Sequence, residues 1–264
     1  PRSTLFPYTT LFRSLQRGLA PSIPGFLLVT GLSSVTKAAL IMDRPPFRLG
    51  VLGSGKGSNM AAIADACADG RLPARVALVL SDVPDAGILE RARERGIRAE
   101  YMAPGRYRTK LEEEAERAYV DALRAADVEW VVLAGFMRIL KAGFLRAFPR
   151  RVLNLHPALL PAFPGLDAWK QALDYGVKVT GCTVHLVDEG IDTGPILVQR
   201  VVPVRDDDTP ASLHERIQEQ ERLAYLEALN AVFRGPIEWK GRRALVGESM
   251  ACAEAAGAGK RTYG

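Results

Sequence analysis

Asn154-Leu155-His156 carries the sharpest chemical signal in the chain. An amide donor beside an imidazole suits the holding of a developing oxyanion and the movement of a proton. Strand alternation puts Asn154 and His156 on one side. The apolar run Arg151–Asn154 reads as the strand that ends at them, and doubly wound sheets bind ligands at such C-terminal ends. The turn Asp188-Glu-Gly-Ile-Asp192-Thr-Gly-Pro195 supplies carboxylates that can pair with His156. Each signal is weak alone: a lone loop histidine is more often structural, and most acidic turns are only turns.

A second cluster suits an anion. Gly53-Ser-Gly-Lys-Gly-Ser-Asn59 follows a short apolar run and precedes helical spacing at Met60, Ile63, Ala64 and Cys67. Backbone N–H groups and the helix dipole at such a turn attract anions, and glycines permit close approach. Gly57 stands where a Walker loop needs Ser or Thr, and Met60 replaces a third spaced glycine. A phosphate monoester therefore fits better than a dinucleotide. Gln218 and Glu221 lie three apart on one helical face and can reach one ligand, although a solvated face shared with Glu215, Glu219 and Arg222 is the ordinary reading. His185, inside a strand, reads as a core or supporting histidine, and His214 as a surface one.

Other chemistries find no pattern. There is no Gly-x-Ser-x-Gly nucleophile, and Cys67, Cys182 and Cys252 are odd in number and widely spaced. This argues against a zinc site or disulfide framework and for a reducing, cytoplasmic setting. The acidic turn lacks EF-hand spacing. No metal is expected.

The elements that must position these groups alternate. Arg48–Leu52, Arg75–Leu80, Ile97–Met102 and Glu129–Ala134 read as strands, with helices after the glycine loop, over Ile88–Arg95 and over Thr109–Ala126. Runs apolar on both faces argue for a parallel sheet covered on both sides. The expected fold is thus α/β, a Rossmann-like doubly wound, mostly parallel sheet. A Pro-rich loop, 156–165, follows Asn154. Lys178–Val187 and Ile196–Val204 read as further strands. Thr209 or Ser212 caps a long helix to about Phe233, and Ile237–Trp239 with Arg243–Val246 forms a terminal hairpin.

Composition adds bounds. The chain has 264 residues, 48% hydrophobic and 25% charged, ordinary globular values that exclude disorder and collagen-like repeats. Of the net charge of +5, four units lie in residues 1–41, which hold Arg2, Arg13, Arg17 and Lys37 and no acid. The basic balance therefore does not point to nucleic acid or an anionic membrane. The run Phe26-Leu-Leu-Val is too short to span a bilayer. Leu5–Ser14, LFPYTTLFRS, resembles the translation of a common sequencing-library adapter. Residues 1–41 are accordingly expected to be a non-native or disordered extension with translation starting at Met42. Residues 42–248 are expected to form one catalytic domain, and 249–264 a flexible tail.

Taken in order, VLGSGKGSN (51–59), LERARERGI (89–97), VVLAGFMRIL (131–140), VLNLHPALLPAFPGLDAWKQAL (152–173), GCTVHLVDEGIDTGPILVQ (181–199) and RIQEQE (216–221) resemble the folate-dependent phosphoribosylglycinamide formyltransferases. The NLHPALLP and D-x-G-P segments are shared with methionyl-tRNA formyltransferase and formyltetrahydrofolate deformylase. The glycine loop, AGFMRIL and RIQEQE separate them. The resemblance implies the formyltransferase fold, 10-formyltetrahydrofolate as co-substrate, small-molecule partners, and a monomer or homodimer. By position it implies a catalytic trio of Asn154, His156 and Asp192. It assigns Gly57, Ser58 and Asn59 to substrate phosphate, and Gln218 and Glu221 to the ribose and glycinamide end. Met137, Arg138, Ile139, Leu140 and Asp188 fall to the folate pterin, largely through backbone groups. Lys110 stands where the family commonly has Arg near the folate side, keeping the charge without the bidentate fork. Asp82 stands where Asn is often seen. The alternatives are a formyltetrahydrofolate hydrolase, a transferase to another amine, and a non-catalytic nucleotide-binding module.

Overall fold

The computed structural model describes residues 45–245. The expected extension over 1–41, the start at Met42, the tail 249–264 and Val246 lie outside the described residues.

In chain order the elements are β1 (Phe47–Leu52), α1 (Ser58–Ala68), β2 (Ala74–Ser81), α2 (Gly87–Glu94), β3 (Ala99–Tyr101), α3 (Glu113–Ala125) and β4 (Trp130–Leu133). There follow α4 (Ala142–Ala147), β5 (Val152–His156), α5 (Ala168–Tyr175), β6 (Val179–Leu186), β7 (Ile196–Pro203), α6 (Pro210–Phe233), β8 (Glu238–Lys240) and β9 (Arg243–Leu245). The main sheet has the order β3-β2-β1-β4-β5-β6-β7, and β8 pairs with β9 apart from it. Strands β1 to β5 pair in parallel, while β6 and β7 join antiparallel. This is the expected doubly wound sheet with its antiparallel C-terminal strands and long helix.

Period-two side-chain alternation makes the two cores. Leu49, Val51, Val79, Trp130 and Val132 face a layer shared with Met60, Ile63, Ile88, Tyr225 and Leu229. Leu52, Leu78, Leu80, Val131 and Leu133 face the opposite layer, with Tyr119, Leu123 and Phe144. Each such side chain contributes roughly 1.5–3 kcal/mol on burial. Gly50 is required on the second face, because a Cβ there would sit 2.4 Å from Leu123 Cδ2.

Some elements differ from the sequence reading. Helix α3 begins at Glu113 instead of Thr109, because the preceding segment is extended. Lys110 bridges Ile139, and Ile139 N donates to Thr109 O at 2.9 Å. Strand β5 runs on to His156, held by the antiparallel register His156↔Thr183. Helices α4 and α5 were not anticipated. The N-terminus of α4 is capped from across the molecule: buried Glu116 of α3 accepts from Lys141 N at 2.9 Å and Phe144 N at 3.2 Å. Helix α5 starts from Asp167 in a left-handed conformation and stops at Gly176, also left-handed.

Order reverses between β1 and β4, where the chain turns from building one half of the sheet to building the other. The crevice outside the C-terminal ends of these strands is where such sheets bind ligands. The glycine loop leaves β1 there, the 134–140 segment leaves β4, and Asn154 and His156 end β5.

Candidate active site

Asn154 faces His185 across the β5–β6 pair. His185 Nδ1 lies 2.9 Å from Leu186 O, a pure acceptor, so Nδ1 carries the proton. Nε2 is then a lone pair, and Asn154 Nδ2 donates to it at 3.2 Å. Burial pulls the His185 pKa down against the opposing pull of Leu186 O and Asp192. The neutral ring fixes which way the Asn154 amide points, and leaves one Asn154 N–H unspent.

His156 is 3% exposed. Its Nε2 lies 2.7 Å from Phe163 O, and its Nδ1 lies 3.3 Å from Asp192 Oδ2. Both neighbours are acceptors, so a ring protonated on both nitrogens satisfies both. Asp192 also places Oδ1 3.7 Å from His185 Nε2 and accepts Gly165 N at 2.9 Å. Its backbone is left-handed, φ 54, which Asp tolerates better than most residues. Asp188 is committed to the turn itself, accepting from Gly190 N at 3.1 Å and Thr193 Oγ1 at 2.7 Å.

These groups line a cavity of about 280 Å³. Asn154, His156, His185, Asp188 and Asp192 line it together with Met137, Arg138, Ile139, Leu140, Val187, Ile191 and Trp169. Apolar walls with a few convergent polar groups suit a small organic ligand. The Arg138 side chain is spent elsewhere. Nε donates to Asp82 Oδ2 at 2.6 Å, and Nη1 to Tyr107 O at 2.7 Å and to Arg108 O. Asp82 accepts Ser54 Oγ at 2.5 Å, and Ser54 Oγ accepts Met137 N at 3.0 Å. Asp82 thus ties the glycine loop to the 137–140 segment.

Gly57, Ser58, Asn59, Gln218 and Glu221 form a separate cluster and are not among the residues lining that cavity. Gly57 is left-handed, φ 80, and makes no side-chain cap for α1, so the first helical N–H groups remain open. A Cβ on Gly57 would sit 2.6 Å from Ile88 Cα. Asn59 Nδ2 donates to Glu221 Oε2 at 3.0 Å. Asn59 Oδ1 is buried without a hydrogen-bond partner. Glu221 is buried as well; burial raises its pKa, opposed by the Asn59 bond.

Trp169 joins the clusters. It lines the cavity and stacks on His214 of α6, ring centroids 3.8 Å apart and planes 1° apart. His214 Nε2 lies 3.3 Å from Gln218 Nε2, so the ring accepts from the amide. His214 is therefore half-buried under Trp169 instead of a surface residue. Burial depresses its pKa; Asp167 opposes this and Lys56 adds to it. Lys110 stays outside the cavity, its Nζ 4.6 Å from the Tyr107 ring centroid. Among the described residues, no group of three His, Cys, Asp or Glu side chains could hold a metal ion, and no helix is long and apolar enough to cross a membrane.

Residues 47–229 match the formyl transferase family. The chain belongs to that family. This formyltransferase is 45% identical over 210 residues to the phosphoribosylglycinamide formyltransferase of Mycobacterium tuberculosis, covering 78% of this chain and 94% of that protein. It is 41% identical over 205 residues to the trifunctional purine biosynthetic protein adenosine-3 of Drosophila melanogaster, where the match covers 77% of this chain but only 15% of that protein. Among solved structures, glycinamide ribonucleotide transformylase 1 from Symbiobacterium toebii superimposes with a TM-score of 0.72 at 48% identity, over 76% of this chain and 94% of that one. A formyltetrahydrofolate deformylase from Pseudomonas syringae, at 24% identity and a TM-score of 0.71, shares the fold.

Trp169 and the orienting work of Asp82 had no local signal in the sequence. A tryptophan in a polar stretch and an aspartate in a loop after a strand both read as ordinary until the chain is folded.

Proposed function

We propose that this formyltransferase moves the formyl group of 10-formyltetrahydrofolate to the amine of 5'-phosphoribosylglycinamide in purine biosynthesis. The observation that carries this is that Asn154, His156 and Asp192 line one apolar cavity, with His156 Nδ1 3.3 Å from Asp192 Oδ2. The glycine loop, with no side-chain cap on α1, opens from β1, two strands from β5 across β4.

The substrate phosphate binds the backbone N–H groups of Gly57, Ser58 and Asn59 at the α1 N-terminus, where the helix dipole favours it. Asn59 Oδ1, Gln218 and Glu221 hold the ribose and glycinamide end. The pterin lies against the backbone of Met137, Arg138, Ile139 and Leu140 and against the Asp188–Asp192 turn, with Lys110 toward the folate tail. The amine nitrogen attacks the formyl carbon directly, and the carbonyl electron pair moves to oxygen. The unspent Asn154 N–H receives that oxygen. His156 joins by exchanging Phe163 O for it at Nε2. As the folate nitrogen–carbon bond breaks, the amine proton passes to the departing nitrogen through Asp192 and an ordered water. No covalent enzyme intermediate forms.

The test follows 10-formyltetrahydrofolate consumption spectroscopically, with and without glycinamide ribonucleotide. Consumption should require the acceptor and match formylated product one to one. Formate release without acceptor would overturn the assignment in favour of a hydrolase.

A further inference from the structure

The turn that carries Asp192 is strained and has to be held. Its φ of 54 lies in the left-handed region, and a non-glycine residue stays there only when its surroundings over-determine it. Most of the hold is local. Leu186 N donates to Pro195 O at 2.9 Å and closes the base of the loop. Asp188 binds Gly190 N and Thr193 Oγ1 from within. Gly165 N reaches the Asp192 carboxylate from across the site. Gly194 packs so closely that a Cβ would sit 1.7 Å from Leu186 O.

A further contact comes from the far end of the chain. Arg242, at the tip of the β8–β9 hairpin, donates through Nη2 to Thr193 O at 2.6 Å. That carbonyl belongs to the residue directly after Asp192. The same hairpin is anchored at Trp239, whose ring centroid lies 4.5 Å from the Arg150 guanidinium carbon. Arg150 stands two residues before β5, the strand that ends in Asn154 and His156. The hairpin therefore brackets the site, touching the entry to one catalytic strand and the loop that carries the third group. It lies beyond residues 47–229, the segment that matches the family.

We propose that the β8–β9 hairpin positions Asp192, and that Arg242 is the positioning residue. This rests on the proton-relay role given to Asp192 above. Arg242 touches no reacting group. It holds the Thr193–Gly194 peptide, one residue past Asp192, and by pinning the C-terminal side of the turn it keeps Asp192 Oδ2 at 3.3 Å from His156 Nδ1. Without it the loop samples positions in which the pair separates. Misplacement by about 1 Å can cost up to about 10²-fold in rate even when the altered residue is far from the chemistry. Arg242 is exposed and belongs to neither hydrophobic core, so its removal opens no cavity.

The experiment measures steady-state formyl transfer with both substrates for Arg242→Ala, Arg242→Lys and Arg243→Ala, each also combined with Asp192→Asn. Arg242→Ala should lower kcat about tenfold, with the KM of either substrate and the thermal midpoint little changed. Arg242→Lys should recover much of the loss, since an ammonium can still donate to Thr193 O. Arg243→Ala removes the same charge one residue along and should match wild type. In the Asp192→Asn background, Arg242→Ala should add almost nothing, because the two act as one unit. Wild-type kcat in Arg242→Ala would overturn the proposal, as would an undiminished loss in the Asp192→Asn background. A wild-type chain without acceptor-dependent formyl transfer would overturn both this proposal and the assignment of the site.

Discussion

Asn154 and Asp192 do different work, and their removal should read differently from the loss of a packing group. Asn154→Ala takes away an oxyanion donor, worth about 10²–10³ in turnover. Asp192→Asn keeps the shape but cannot take the proton, and should lower kcat by a similar factor. Neither side chain belongs to a hydrophobic core, so far-ultraviolet circular dichroism and the thermal midpoint should stay near wild type. Wild-type turnover in both variants would remove the mechanism. Gly57→Ala should act on binding instead. It combines a left-handed φ with a Cβ 2.6 Å from Ile88 Cα, so the loop must move and the KM for the phosphorylated substrate should rise. At this scale the sequence was informative where residues were neighbours on one strand, as Asn154 and His156 are. The acidic turn by itself offered His156 a carboxylate without saying which, and Asp192 was singled out by the family resemblance; its 3.3 Å contact depends on how β6 returns beside β5. Glu221 resembled a solvated helical face and proved buried. Helical period alone does not say which face meets the glycine loop.

At the scale of elements, two helix caps offer a comparison between local and distant coding. Helix α6 begins with a capping box: Ser212 N donates to Thr209 Oγ1 at 3.2 Å, and Thr209 N donates to Ser212 Oγ at 3.0 Å. Both residues are adjacent to the helix start, and the cap was legible. Thr209→Ala should cost about 1 kcal/mol in urea unfolding. Helix α4 is different. Its six residues hold no cap of their own, and Glu116, in the first turn of α3, accepts from the backbone N–H groups of Lys141 and Phe144 at its start. A stretch this short with no cap beside it gave no helical signal. Bonds to a charged group are worth about 1.5–3 kcal/mol each, so Glu116→Ala should destabilise more than Thr209→Ala despite lying outside α4. Equal unfolding midpoints for the two variants would show that the distant cap contributes little.

For the whole molecule, the relevant balance is between histidine protons and carboxylate protons. The chain holds 35 basic and 30 acidic side chains, a net charge of +5, so general charge repulsion is small and individual groups can be seen in the pH dependence of stability. His185 and His214 both have folded pKa values depressed below 6.5 by burial. The unfolded chain then binds more protons than the folded one as pH drops through 6.5, and stability falls with it. Asp65, Asp69 and Asp208 are held below 3.8; their contribution is lost only at lower pH, in a separate window. Glu221 acts in the opposite sense: its folded pKa is raised above 4.5, so acidification relieves a penalty there. The difference between proteins isolates one histidine from this mixture. His185→Gln keeps an acceptor for the Asn154 amide but cannot take a proton. Urea midpoints measured from pH 7.5 down to about pH 5 should fall more steeply for wild type than for His185→Gln. Parallel slopes would mean that His185 carries no buried neutral ring, and the fixed orientation of the Asn154 amide would lose its basis.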